Sequence, residues 1–307
     1  MVMLQKTGNP LLFYGYIMDM KNLKTYRMFE SVMEMTQEQI GWLDKCVDGI
    51  WKLNTSTGLV DVDGNFNCNE QGLTDLKGIR FGEVSEDFNC SDNHLTSLVG
   101  APQTVGGDFW CRGNQLTTLE GAPKTVGGDF DCSRNRLTSL VGAPKTVGGD
   151  FDCSRNRLTS LVGAPQSVGR SFYCIDNQLT SLEGAPQTVG VSFYCNGNQL
   201  TSLEGAPKKV AGGFYCNDNE LTSLVGAPQT VGRGFDCGSN PVSETTLKAI
   251  FALMKSGMAY QQSLEKCWPE MGDEDRVLMY KQMPNLPPEE TRKYKALATY
   301  SNIKGYL

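Results

Sequence analysis

The sequence predicts a repeat solenoid, a right-handed coil of short parallel strands with α-helical caps at its two ends. Three observations predict it. Residues 137 to 157, LTSLVGAPKTVGGDFDCSRNR, return almost unchanged over 158 to 178 as LTSLVGAPQSVGRSFYCIDNQ. Val-x-x-x-Phe-x-Cys recurs nine times, from Val62/Phe66/Cys68 to Val231/Phe235/Cys237, at 21-residue intervals after a first interval of 22. Outside these copies the repeat is lost and apolar residues take up helical spacing. A single coil of this length cannot bury its own apolar face, so a fixed short period means stacked neighbours sharing one core.

Each part of the coil has its own reason. Side chains alternate along a strand, so Phe and Cys of Phe-x-Cys point inward while their neighbours point out. The asparagine that follows (Asn93, Asn114, Asn135, Asn156, Asn177, Asn198, Asn219, Asn240) sits where the chain leaves the strand. Its amide can satisfy backbone groups of adjacent coils as a buried ladder. Leu-Thr-Ser-Leu adds two more inward residues. Gly-Ala-Pro and Val-Gly-Gly disfavour helix, so the convex return is expected to be extended or turn-like. The concave side should then be a parallel sheet of about nine short strands, a ladder of roughly 38 Å at ~4.8 Å per strand. The segment Phe-x-Cys-x-x-Asn-x-Leu-Thr-Ser-Leu resembles the leucine-rich-repeat pattern, with Phe and Cys in place of aliphatic residues.

An open solenoid end exposes core, so caps are needed. Three segments are expected: 1–57 as the N-terminal cap, 58–241 as the repeats, and 242–307 as a helical cap or small module. Thr36 and Gln39 read as a capping box, and Ile40, Leu43, Val47, Ile50 and Trp51 extend the stripe, so a helix is expected over about 36–53. Before it, a strand near Leu11–Met18 and a helix near Tyr26–Met35 are expected. After Asn240-Pro241, Ser243 is a good N-cap for a helix ending near Gly257. Further helices are expected over Tyr260–Cys267, Asp273–Met283 and Pro288 to about Tyr300.

Composition narrows the function classes. The net charge is −6, and residues 58–241 hold 13 of the 28 basic and 20 of the 34 acidic residues, which disfavours nucleic acid as a partner. No apolar run is long enough to span a membrane, and no signal peptide is expected from the first residues. Nine of the eleven cysteines fall once per repeat, so they read as buried thiols of a reduced, cytoplasmic protein rather than a disulfide or zinc set. Asp61-Val-Asp-Gly64 resembles a fragment of a calcium loop, but the later ligands are missing and a turn into the first strand is expected. The lone histidine, His94, occupies the position held by Gln115, Arg136 and Arg157 in later coils, which argues against a catalytic role. Cys46-Val-Asp48 has a Cys-x-Asp form found in bacterial leucine-rich-repeat ubiquitin ligases. It precedes the repeats, however, and too little chain follows them for such a domain. No enzyme, cofactor or metal site is expected.

The outward positions of the strands carry the candidate site. Before Phe stand Asp108, Asp129 and Asp150, then Ser171, Ser192 and Gly213. Between Phe and Cys stand Trp110, Asp131, Asp152, Tyr173, Tyr194 and Tyr215; Arg112 follows Cys111. Asp129, Asp131, Asp150 and Asp152 are expected roughly 5 to 7 Å apart on neighbouring strands, so a counter-charge is needed. Arg112, Arg134 and Arg155 are candidates for part of it. Beside the acidic patch lies the row Tyr173, Tyr194, Tyr215, with Trp110 on the far side; Tyr, Trp and Arg are enriched at binding hot spots. Either this face binds a protein with a basic patch, or the tyrosines only stack to stabilise the coil.

The full repeat LTSL-x-GAP-x-x-VGG-x-F-x-C-x-x-N resembles that of a group of leucine-rich-repeat proteins encoded by phages and bacteria. WLDKCVDGIWKLN before the repeats and KYKALATYSNIKGYL at the C-terminal end are similar to that group too. The resemblance implies the fold and carries no chemistry; it implies as well that a phage-encoded chain could act on a host or antiviral-defence protein. Two functions stay open on the sequence: recognition of a protein through the concave face, or a self-associating structural or assembly component.

Overall fold

The 21-residue repeat closes into a coil because two short segments in it pair with the same segments of the next coil. In the computed structural model, which describes residues 35–283 and 285–304, Phe88–Asn89, Phe109–Trp110, Phe130–Asp131 and their successors to Phe235–Asp236 form one parallel ladder in exact coil-to-coil register. A second parallel ladder runs through Thr104–Val105, Thr125–Val126, Thr146–Val147 and on to Thr230–Val231. The return is therefore non-helical, as expected, but it is more ordered than a plain turn: it contributes a second sheet edge to every coil. The expected strand and helix within residues 1–34 lie outside the described residues.

Between the ladders lies one continuous core. Phe66 to Phe214, Cys68 to Cys237 and both leucines of each Leu-Thr-Ser-Leu are fully buried. The phenylalanine rings of successive coils stack face to face, 5.2 to 5.4 Å apart from Phe88 to Phe214. At the two ends this column is closed by other aromatics. Trp42 meets Phe66 edge-on at 5.3 Å, and Phe251 stacks on Phe235 at 3.9 Å.

The asparagine ladder holds the inner turn. Nδ2 of Asn156 donates to the carbonyls of Cys132, Cys153 and Ser154, while its Oδ1 accepts the N–H of Leu137. The same pattern repeats at Asn114, Asn135, Asn177, Asn198 and Asn219. An amide with both donors and its acceptor engaged satisfies backbone groups that would otherwise be buried unpaired.

The N-terminal cap departs from the expectation of one helix over 36–53. Helix α1 (Gln37–Cys46) begins with the Thr36/Gln39 capping box but stops at Cys46. Strand β1 (Val47–Asn54) follows and pairs antiparallel with β2 (Leu59–Asn67). Asp61, Asp63 and Gly64, expected in a turn, lie within β2. Strand β2 is long enough to join both ladders, pairing Val62 with Val84 and Phe66 with Phe88. It turns the corner between them at Gly64, opposite Gly49; both have positive φ, and a side chain on either would lie 2.2 Å from the other strand's carbonyl oxygen. Only glycine permits that approach.

At the other end, α2 (Glu244–Lys255), α3 (Tyr260–Cys267), α4 (Asp273–Met279) and α5 (Pro288–Lys304) cover the last coil. The helix expected over Asp273–Met283 ends early and continues as a tighter turn, Tyr280–Gln282. Buried Asp275 of α4 accepts from the Ser243 N–H, the Ser243 hydroxyl and the Thr246 hydroxyl, at 2.8, 2.7 and 2.5 Å, tying α4 to the start of α2. The Gln282 side chain donates to the Thr222 carbonyl at 2.7 Å, which joins the module to a repeat coil.

Candidate recognition face

Two outward rows flank each Phe on the sheet, and they do different work. In the row before Phe, each side chain accepts a hydrogen bond from the backbone N–H of the equivalent residue one coil on. Oδ1 of Asp108 accepts from Asp129, that of Asp129 from Asp150, and that of Asp150 from Ser171, at 2.6 to 2.7 Å. Ser171 and Ser192 continue the series through their hydroxyls, to Ser192 and Gly213. The aspartates are therefore held by backbone donors running the length of the face. Burial raises the Asp108 carboxyl above its ordinary value, and the Asp129 N–H offsets part of that.

The row between Phe and Cys reads Trp110, Asp131, Asp152, Tyr173, Tyr194, Tyr215 in unbroken register. All six side chains are half-buried. Asp131 and Asp152 each accept the N–H two residues on, from Ser133 at 2.9 Å and Ser154 at 2.8 Å, closing the turn locally. Burial lifts the Asp152 carboxyl, opposed by the Ser154 hydroxyl and N–H. The counter-charges expected from the sequence go elsewhere. Arg112 pairs with Asp92 at 3.9 Å and Arg155 with Asp176 at 3.4 Å, while Asp150 finds Arg170 at 3.8 Å. Arg134 makes no ion pair among the described residues.

Tyr173, Tyr194 and Tyr215 form a face-to-face stack, with centroids 4.6 and 4.5 Å apart and planes within 7°. In their coils Asp gives way to Ser171, Ser192 and Gly213 in the row before Phe, as it does to Gly234 in the next coil, which carries Asp236. At Gly213 the reason is space: a side chain added there would sit 2.6 Å from the Tyr215 ring, which folds over that position. Burial raises the Tyr173 phenol, opposed by the Ser171 hydroxyl. Trp110 belongs to the same row but stands three rungs from Tyr173, about 14 Å at the usual strand spacing.

Residues that suggested chemistry are placed without the partners chemistry needs. The nine cysteines of the ladder are buried and their thiols are pushed far up by desolvation, Cys237 to about 12. Cys46 is buried beneath α1 and raised as well. His94 is exposed on a turn. Among the described residues no group of three or more His, Cys, Asp or Glu is arranged to hold a metal ion, and no helix is long and apolar enough to cross a membrane.

Sequence reasoning did not single out Arg136 and Arg157 as a site. They join Arg134 and Arg155 at the turn beside this face, all four exposed, and the signal was the tandem Ser-Arg-Asn-Arg.

No family model and no curated protein matches the sequence. Among solved structures the chain is similar to YopM, a leucine-rich effector protein from Yersinia pestis, at 18% identity over 72% of this chain, with a TM-score of 0.47; it spans about 60% of that protein's chain.

Proposed function

We propose that this chain is a non-catalytic recognition protein that binds a partner protein through the outer face of its Phe-x-Cys sheet. The tyrosine stack carries the proposal. Three parallel rings lie half-exposed in coils whose core is already complete beneath them, and the other coils close with Asn, Trp or Asp at the same position. Rigid, amphipathic rings with exposed edges are what interface hot spots are made of. The carboxylates of Asp131 and Asp152, next along the row, would take a lysine or arginine of the partner, so we assign it a basic patch. The resemblance of the repeat to phage-encoded proteins makes a bacterial host protein, including a component of antiviral defence, the first class of partner to search, with the host cytoplasm as its place of action.

The test is capture from bacterial lysate with the wild-type chain and a Tyr173→Ala/Tyr194→Ala/Tyr215→Ala variant, both shown to be folded, and then measurement of the captured protein's affinity after purification. We expect capture by the wild type and a loss of about tenfold or more in the variant. Equal capture by both would move the site off this face. Concentration-dependent self-association in light scattering, with no partner, would replace this reading with that of an assembly component.

A further inference from the structure

Four arginines crowd one edge of the sheet face in a solenoid that is otherwise acidic. Arg134 and Arg136 belong to one coil, and Arg155 and Arg157 to the next. The backbones at these turns are bonded coil to coil, Arg134 N–H to the Ser154 carbonyl and Arg157 N–H to the Leu137 carbonyl, so the two pairs are stacked in register about 4.8 Å apart. Between the arginines of each pair, Asn135 and Asn156 are buried and fully engaged, which fixes the turn. All four arginine side chains are exposed. Of the four, only Arg155 makes an ion pair among the described residues, with Asp176.

Two features show that the coil does not need them. Arg134 and Arg155 have φ of 55° and 57°, a left-handed backbone that disfavours a side chain, and equivalent coils place Gly113, Gly197 or an aspartate (Asp92, Asp176, Asp218) there. At the second position the neighbouring coils place Gln115 and Gln178. Stacking like charges at 4.8 Å is unfavourable without an anion between them.

We propose that this edge holds a carboxylate-rich segment of the partner protein, gripped by the paired guanidinium forks, which suit carboxylates geometrically. The proposal rests on the recognition reading and deepens it: a partner with basic groups over Asp131 and Asp152 and acidic groups over the arginines would be fixed in direction along the face. A polynucleotide fits less well, because Asp129, Asp131, Asp150 and Asp152 share these two coils and would repel a continuous chain of phosphates.

The experiment uses the full chain and a dye-labelled hexaglutamate peptide, followed by fluorescence anisotropy at low salt. The variant is Arg134→Gly/Arg136→Gln/Arg155→Gly/Arg157→Gln, which gives these coils the residues their neighbours already carry and so keeps the fold. We expect the peptide to bind the wild type, to bind the variant roughly tenfold more weakly or less, and to be released by added salt. The tyrosine triple variant should bind it like wild type, so loss of peptide binding and loss of the tyrosine-dependent partner report on the two readings separately. Absence of peptide binding to wild type, equal binding to the arginine variant, or loss in the tyrosine variant would each overturn the assignment. So would a single-stranded oligonucleotide that binds more tightly than the peptide in an arginine-dependent way.

Discussion

Two columns of stacked aromatic rings run along the same strands, one residue apart in sequence. The inner column has a phenylalanine in every coil, from Phe66 to Phe235, and its rings from Phe66 to Phe214 are fully buried. The outer column has three tyrosines, is half-exposed, and packs its rings more closely, at about 4.5 Å against 5.2 to 5.4 Å. Adjacent positions on one strand thus answer to different demands. A position that every coil must fill in the same way is set by stacking and burial; one that changes from Asn to Trp to Asp to Tyr along the ladder is free of that demand and can serve a partner.

The buried side of the strands, where the cysteines stand beside the phenylalanines, can be broken most completely by pH. Burial keeps the nine ladder thiols protonated far above their ordinary value of 9.0. Their folded-state pKa values are raised, so this contribution is fully present below pH 9 and is lost as pH rises beyond it. Each thiol removes up to about 1.4 kcal/mol per pH unit in that window. We expect steep alkaline unfolding between about pH 9 and 10.5, measured as urea stability against pH. A flat profile would show that the thiols are not held in a dry core.

Smaller cuts on the two sides of the strand sharpen the contrast. Phe151→Ala removes a fully buried ring between two stacked neighbours and should cost about 3 to 5 kcal/mol in urea unfolding. Asn156→Ala strands the Leu137 N–H, while the Cys132 and Cys153 carbonyls keep one donor each from Asn135 and Asn177, so we expect a loss of about 1 to 3 kcal/mol. Asp150→Ala removes one rung of the outward side-chain ladder and should cost about 1 kcal/mol; Asp150→Asn keeps the acceptor and should be close to neutral. Equal losses for Phe151→Ala and Asp150→Ala would erase the distinction between the two sides of the strand.

Much of this was legible in the sequence because the repeat averages out local ambiguity. Phe, Cys and Asn recur at one phase, so their burial and the amide ladder follow from the period alone. The ends lacked that support. Ile40, Leu43, Val47 and Ile50 fit helical spacing, yet β1 takes over at Val47, burying Val47 and Trp51 and leaving Ile50 40% exposed. The clue was a pair of glycines, Gly49 and Gly64, which mean little until the hairpin sets them opposite each other. On the candidate face, the clustering of Asp129, Asp131, Asp150 and Asp152 was readable. Their backbone donors were not, because those bonds depend on which residues of adjacent coils stand in register. The glycine ahead of Tyr215 was in plain view, but its cause is the ring folded over that position.

The central claim, that the tyrosine stack serves recognition and the phenylalanine stack serves folding, is tested most directly by comparing urea unfolding of the Tyr173/Tyr194/Tyr215→Ala variant with that of Phe151→Ala. Two stacked pairs are worth about 1 to 3 kcal/mol together beyond the area the rings bury. With each ring half-exposed, the loss divided over the three tyrosines should stay well below the loss from Phe151→Ala. A loss per tyrosine equal to that of Phe151→Ala would make the tyrosines part of the fold and contradict the account.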